Sequence, residues 1–554
     1  MKKLSLTLQF IFFTLFLNAQ TISEINKIRP TDLVKGDYFG RNIDISGNYA
    51  IVSAPNQDQI INGNQTLKHA GAAYIYHKDE NGNWTEIQKL GLSNISINNQ
   101  YDFFASSVAI SEKYAVVGAT QAITLNPENH ENINEGETGA VYIYEKNASG
   151  NWLQVQKIQG SDSRTGDQFG FEVAVEDDHI LVGAIAHTVN EILYAGAIYA
   201  FKRNNNGVWE ETQKITKPVK DERPNSRYGF PFGFTIAMDE NRAIFGHIDN
   251  QDLNDPSDIT RNVAFIYERN DNGIWSEIQK LIPSDSPQSG STGLKLDIQG
   301  DYIIAAAQGY NRSGTDRLGV AFVFKRNESG IWDETQKITP SSQQVGPSFG
   351  STSVSIDNGL IAIGAYLDDS KGQNAGSTYV YTLSESTGIW LEFQQVVPSD
   401  IQTGTEFGWG LAMSNSDMFI SAWNSSSTNQ NSETVYSYKI CNTTTIPDRN
   451  FEQWLVNENI DSDGTVNGII NNCDVEKIKE LNILPLQGIS NLTGISAFHN
   501  LERLNIPEND LVTLDLSNNT KLTSVNVFYN FLEYIDITNC SELVSLNVSD
   551  NFLN

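Results

Sequence analysis

The chain has 554 residues, 39% of them hydrophobic and 19% charged, with a formal net charge of -30. That balance is globular rather than disordered, and the length allows two or more domains, each with a sizeable core. A surface this acidic repels nucleic-acid phosphates and anionic lipids, so neither is an expected partner.

At the N-terminus, Lys2 and Lys3 precede an apolar run over residues 10–17, and Ala19 offers a small residue for cleavage. The pattern predicts a secretory signal peptide over 1–19, cut near Ala19, and is too short for a membrane span. No later stretch has the length of a transmembrane helix, so the mature chain is expected to be secreted or held at a cell surface without inserting into the membrane. Only Cys441, Cys473 and Cys540 occur. An exported chain of this size with so few cysteines does not rest on a disulfide framework. Cys441 and Cys473 bracket a short segment and could pair; three unpaired, partly buried thiols are the alternative.

From about residue 22 to 440 the sequence repeats at roughly 60-residue spacing. Tryptophans 84, 152, 209, 275, 332 and 390 sit in similar phrases such as NWTEIQKL, VWEETQKI and IWLEFQQV. Openings fall at Phe39-Gly40, Phe104-Ala105, Phe169-Gly170, Phe232-Gly233, Thr292-Gly293, Phe349-Gly350 and Phe407-Gly408. There are thus seven openings but six tryptophan phrases. The missing phrase lies ahead of the first opening, where EINKIRPTD (24–32) matches EIQKLIPSD (277–285). Each unit reads as four strands, in the third repeat FEVAV, HILVGA, AIYAF and VWEETQKI. Seven such units predict a mainly β fold, a seven-bladed β-propeller in which an N-terminal strand at about 22–30 completes the last blade and removes an exposed edge. Gly118, Gly183, Gly246 and Gly364 end the second strands, where a side chain would crowd the next blade.

The FG openings with the VGA and GAIYAF phrases resemble the FG-GAP repeat, as in the integrin α-chain propeller. That resemblance implies calcium in an Asp-rich loop between the first and second strands. Here those connections are tight turns, such as Ser46-Gly47-Asn48, Glu176-Asp177-Asp178 and Asp357-Asn358-Gly359. Calcium takes six or more oxygen ligands, which such turns cannot wrap, so no cofactor is expected in the blades. The connections between second and third strands are long and dissimilar (55–70, 120–138, 185–195, 247–261, 308–318, 366–375 and 423–433). They share one face, which is where a protein or carbohydrate ligand is expected to bind. His69, His130, His187 and His247 fall in or beside these loops and read as solvated, not as a zinc site. Carboxylate pairs such as Asp79-Glu80 and Asp221-Glu222 are expected by chance in so acidic a chain. No catalytic signature or phosphate loop appears.

After residue 440 the pattern changes. Over 441–477 a cap or linker is expected, with Asp448 capping a short helix whose apolar face carries Phe451, Trp454 and Leu455. Asp461-Ser462-Asp463-Gly464 has the opening of a calcium loop, but its twelfth position is Asn472, which leaves Asp461 and Asp463 as weak metal candidates beside a plain turn. Over 478–554 a 21-residue period, LERLNIPENDL, LTSVNVFYNFL and LVSLNVSDNFL, has the leucine-rich-repeat pattern. Asn509, Asn530 and Asn551 sit at its asparagine position, where each can satisfy backbone groups at the bend between coils. The helix and repeats together resemble leucine-rich segments of exported bacterial surface proteins, and a solenoid stopping within a repeat reads as truncated. These features point to a non-enzymatic binding or adhesion protein; the alternative is a polysaccharide-active hydrolase or lyase built on the propeller.

Overall fold

The computed structural model describes residues 20–61, 65–79, 82–91, 102–121, 138–217, 231–249, 261–284, 295–308, 319–342, 348–384, 387–423, 433–462 and 464–553. The signal-peptide segment, His130, Glu80, Asp221, Glu222, the Thr292-Gly293 opening, Asp463 and the middles of several long loops lie outside them. One compact unit spans Glu24–Lys439 and a second contains Ile440–Asn554.

The first unit is a seven-bladed propeller of antiparallel four-stranded blades. In the third blade Phe169–Glu176, His179–Ala184, Ala197–Arg203 and Trp209–Ile215 pair in chain order. The second strand is buried along its whole length, whereas the fourth buries only Trp209 and Ile215 at its ends. That gradient explains why the second strands read as continuous apolar runs and the fourth as a tryptophan followed by a polar phrase. Each opening phenylalanine is fully buried and meets an aromatic ring of its own third strand edge-on. Phe104 with Tyr142 at 5.5 Å, Phe169 with Tyr199 at 5.4 Å and Phe407 with Tyr436 at 5.6 Å are examples.

Neighbouring blades meet backbone to backbone. A Cβ added to Gly118 would lie 2.1 Å from the Gly170 carbonyl oxygen, one on Gly183 2.3 Å from that of Gly233, and one on Gly364 2.1 Å from that of Gly408. These are the packing glycines expected from the sequence, and a methyl group there would force the blades apart.

The ring closes as the count of openings requires. The last blade joins Phe407–Ser414, Asp417–Ala422 and Thr434–Thr445 to Gln20–Ile28 from the start of the chain. The incoming strand also takes over the repeat's side-chain bonds. Elsewhere a serine after one blade donates to the glutamate of the next blade's outer strand: Ser161 Oγ to Glu211 at 2.9 Å and Ser284 Oγ to Glu334 at 2.6 Å. At the closure Ser399 N–H donates to Glu24 at 2.7 Å, across 375 positions of chain. Tyr199 and Lys214 both bond Asp162 in the third blade; Tyr436 and Lys27 do the same to Asp400 at the closure.

The QK phrase also holds blades together, a role its sequence did not reveal. The Gln213 side chain donates to the Trp275 carbonyl at 3.0 Å and accepts from the Trp275 N–H at 2.8 Å, clasping the next blade's outer strand. Gln88 with Trp152, Gln156 with Trp209, Gln279 with Trp332 and Gln336 with Trp390 repeat the clasp. At the closure the position is Asn26, one methylene shorter; its amide donates to the Trp84 carbonyl at 3.4 Å, while its Oδ1 accepts from Ser437 Oγ rather than from the Trp84 N–H.

In the second unit Asp448 caps the helix Arg449–Asn457 through bonds from Asn450 N–H and Phe451 N–H. Phe451, Trp454 and Leu455 are buried as expected, and Glu452 is buried with them because it accepts the N–H groups of Asn467 and Gly468. These residues share one core with a β-solenoid of about three turns. Parallel strands Glu480–Asn482, Arg503–Asn505, Ser524–Asn526 and Ser545–Asn547 form one of its sheets. Buried Asn530 accepts the Leu511 N–H and donates to the Ile506 and Val527 carbonyls, so the repeating asparagines do satisfy the bends. Cys441 and Cys473 form a disulfide with Cα atoms 5.6 Å apart, and Cys540 is a buried free thiol.

Two stability experiments follow. Gln213→Ala removes two bonds to backbone and is expected to lower propeller stability by about 1–3 kcal/mol; calorimetry of the variant checks the sign. Replacing Cys441 and Cys473 with serine is expected to cost about 2–4 kcal/mol in the second unit, seen as a lowered C-terminal transition beside an unmoved propeller transition.

Candidate functional site

The first strands of all seven blades line an axial channel, and in the second, third and seventh blades the strand opening is irregular. Phe169 pairs with Ala184 and the next paired residue, Val173, with Val182, so four steps on one strand span two on the other. Phe407–Leu411 against Ala422–Ile420 does the same, and Phe104–Ser107 against Ala119–Gly118 is a related bulge. Such bulges bend a strand and re-aim its side chains. The residue after each phenylalanine sits at positive φ, 89° at Gly170 and 93° at Gly408, and in the second blade Ala105 adopts 67° without glycine's freedom.

Residues that follow the openings line the mouth of this channel. Arg41, Asn42, Ser106, Phe171, Glu172, Phe234, Lys295, Ser351, Thr352 and Trp409 line a cavity of about 380 Å³ at the centre of the long-loop face. Every blade contributes. The pairs after the openings are Arg-Asn, Ser-Ser, Phe-Glu, Phe-Thr, Leu-Lys, Ser-Thr and Trp-Gly, different in each repeat. That contrast between a repeated opening and a changing pair is the signal in the sequence that locates the site.

Aromatic side chains make one wall. Trp409 packs on Trp423 with ring centroids 4.0 Å apart and meets Tyr366 at 4.8 Å, while Phe171 and Phe234 lie 5.2 Å apart. Trp409, Phe171 and Phe234 are half-buried, each leaving ring surface open to the cavity. Lys295 Nζ stands 5.1 Å from the centre of the Phe234 ring, and Arg41 is exposed at the rim.

Glu172 sits at the neck, lining both this cavity and a second one of about 360 Å³ that continues along the channel. Burial pushes its carboxyl up to about 7, against the pull of Lys295. Burial likewise pushes Asp44 to about 7 and Asp297 to about 6, although each accepts two backbone N–H bonds that favour the ionised form. Those bonds are structural: Asp44 accepts from Ile110 of the next blade at 2.7 Å, and Asp297 from Ile356 at 2.8 Å. Near the rim, burial raises the Glu406 carboxyl to about 7.

The remaining sequence candidates do not converge on the mouth. His187 is 2% exposed, which corrects the expectation of a solvated loop histidine. Its Nδ1 lies 2.8 Å from Asp167, and its backbone carbonyl accepts from Gly196 as that of Gln57 accepts from Gly71 in the first blade. The ring therefore fills a hydrogen-bonding position that Gln57, bonded to Tyr74, fills elsewhere. His69 and His247 are half-buried. Asp79 is a turn residue, accepting the Asn83 N–H at 2.8 Å. The tight turns expected between first and second strands instead bond one another across blades, Gly300 N–H to Asp239 at 2.9 Å and Asn358 N–H to Gln299 at 2.7 Å. Asp461 is buried in its loop, where Gly464 N–H donates to its carbonyl. Among the described residues no three His, Cys, Asp or Glu side chains gather as a metal site.

Glu172, Asp44 and Asp297 bind protons more tightly folded than unfolded, so their contribution to stability is full below about pH 4 and is lost as pH rises through about 7. Melting curves of the propeller are expected to shift down across that window. Glu172→Gln, which mimics the protonated side chain, is expected to flatten the slope while leaving stability at pH 5 near that of the parent.

Residues 22–76, 84–144, 152–201, 332–381 and 390–438 match the family described as FG-GAP repeat. The unmatched stretch between them includes the fifth opening, where threonine replaces phenylalanine, and Asn262, which replaces the glycine ahead of a third strand. No curated protein matches the chain. Among solved structures, the functional domain of InlJ from Listeria monocytogenes, which includes a cysteine ladder, is 27% identical over 20% of this chain and 24% of that one, with a TM-score of 0.18. The chain thus spans about a quarter of that structure's length. The periplasmic gluconolactonase PpgL of Pseudomonas aeruginosa is 11% identical, covering 66% of this chain and 92% of that one, with a TM-score of 0.39. Those five stretches carry FG-GAP repeats, and the first unit folds as a seven-bladed β-propeller.

Proposed function

We propose that this is an exported binding protein that recognises a glycan at the mouth of its propeller. The observation that carries the reading is the central cavity of about 380 Å³, built by all seven blades and walled by half-open aromatic rings beside hydroxyl and amide side chains. Aromatic faces stack on the apolar faces of sugar rings, and Asn42, Ser351 and Thr352 supply donors and acceptors for hydroxyl groups. The volume falls within the range of small-molecule sites, on the order of 300–1,000 Å³. Export after cleavage near Ala19 and attachment at a cell surface belong to the same proposal, as does a leucine-rich-repeat identity for the 21-residue solenoid, which would offer a second binding surface.

A polysaccharide-active enzyme is the second reading, and Glu172 is what favours it. A carboxyl held near pKa 7 at the neck of a central cavity is suited to proton donation. It is the one carboxylate among the described residues that line that cavity, whereas hydrolysis by the usual route uses two.

Screening the full chain against a glycan array tests the proposal. Binding to at least one glycan class is expected, weakened about tenfold or more by Trp409→Ala, equivalent to about 1.4 kcal/mol, at unchanged melting temperature. No binding, together with cleavage of a polysaccharide that Glu172→Gln abolishes, would replace the binding reading with the enzymatic one.

A further inference from the structure

We infer that the glycan taken by this cavity carries carboxylate groups, as a polyuronate does, with Arg41 and Lys295 as the groups that read them; this rests on the cavity being a glycan site. The chain has 67 acidic residues against 37 lysines and arginines. In so acidic a molecule a cation readily finds a carboxylate, and many of the propeller's cations do. Lys78 pairs with Asp417 at 2.6 Å, Lys89 with Asp32 at 2.6 Å, Lys214 with Asp162 at 2.6 Å and Arg203 with Glu145 at 3.2 Å. Arg41 and Lys295 have no carboxylate within 4 Å among the described residues, and both line the cavity at the mouth.

Their placement is specific. Each occupies one of the two positions after an opening, in the first and fifth blades, and both line the mouth. Between them stand the open faces of Phe171, Phe234 and Trp409. Arg41 at the exposed rim and half-buried Lys295, which stands over the Phe234 ring, each gain a charge-assisted bond when an anion enters. A carboxylated sugar supplies both requirements in one residue, a ring face for the aromatic wall and a carboxylate for the cations. An acidic peptide offers the charge but not, in the same residue, a ring face for the aromatic wall. The acidic body of the protein repels a polyanion at long range; at about 0.15 M salt that repulsion is screened beyond about 8 Å, whereas contacts inside the cavity are screened much less.

The test is titration calorimetry of the full chain in 0.15 M salt with three probes: polygalacturonate, the same polymer fully methyl-esterified, and polyglutamate. Polygalacturonate is expected to bind roughly tenfold or more tightly than its ester. Arg41→Gln combined with Lys295→Gln, and Arg41→Gln alone as the milder change, are expected to remove that preference at unchanged melting temperature. Equal binding of polymer and ester would overturn the charge inference while leaving the glycan site standing. Binding of polyglutamate alone would overturn it in favour of a peptide ligand. Heat from none of the probes would overturn it too, and the glycan array then decides whether the wider reading survives with an uncharged sugar.

Discussion

Everything in the propeller depends on how closely one blade's backbone approaches the next. At Gly118, Gly183 and Gly364 the neighbouring carbonyl oxygen stands where a Cβ would be. A second set of glycines, Gly71, Gly139, Gly196 and Gly376, turns at positive φ against the following blade's phenylalanine in the same way. Absent side chains, not present ones, define these contacts. With the distance between blades set at the centre, the hydrophobic middle strands pack into cores shared by adjacent blades, as where Phe169 and Tyr199 of the third blade join Val116 and Ile143 of the second. Hydrogen bonds at the periphery, above all the glutamine clasps, then fix each blade's outer strand to the next.

The same close approach makes the mouth. An opening that must bring its glycine carbonyl against the preceding blade cannot also keep register with its own second strand, and the bulges at Phe104, Phe169 and Phe407 are the outcome. A bulge releases two side chains from the sheet, and ring symmetry collects all such pairs around one axis. The scaffold's strictest requirement and its freest positions are therefore adjacent in sequence. That arrangement allows the lining to vary from Arg41 to Trp409 without disturbing the packing that holds it.

The architecture was legible in the sequence because repetition multiplies weak signals. One Phe-Gly means nothing, but seven openings against six tryptophan phrases imply a strand donated from elsewhere, and Glu24, Asn26 and Lys27 fall on the matching positions. The helix cap at Asp448 and the asparagines of the solenoid were equally readable, since each satisfies backbone groups by local rules. What was not legible depends on distances around the ring. Gln213 looks like a polar surface residue until the next blade's Trp275 is placed beside it. His187 looks like a loop histidine until Asp167 and Tyr199 enclose it. Arg41 and Lys295 are 254 positions apart, and nothing local in the sequence places them at one cavity. The bridge of Cys441 to Cys473 was an open alternative for the same reason, because spacing permits a pairing without requiring it.

The central claim is that the paired positions after the openings, converging on the axis, form the binding site. A crystal structure of the full chain with an oligogalacturonate tests it most directly. The account predicts a sugar ring against Trp409 or Phe171, with a carboxylate at Arg41 or Lys295. A well-ordered sugar bound instead on the outer strands or along the solenoid, with the axial mouth empty, would contradict it.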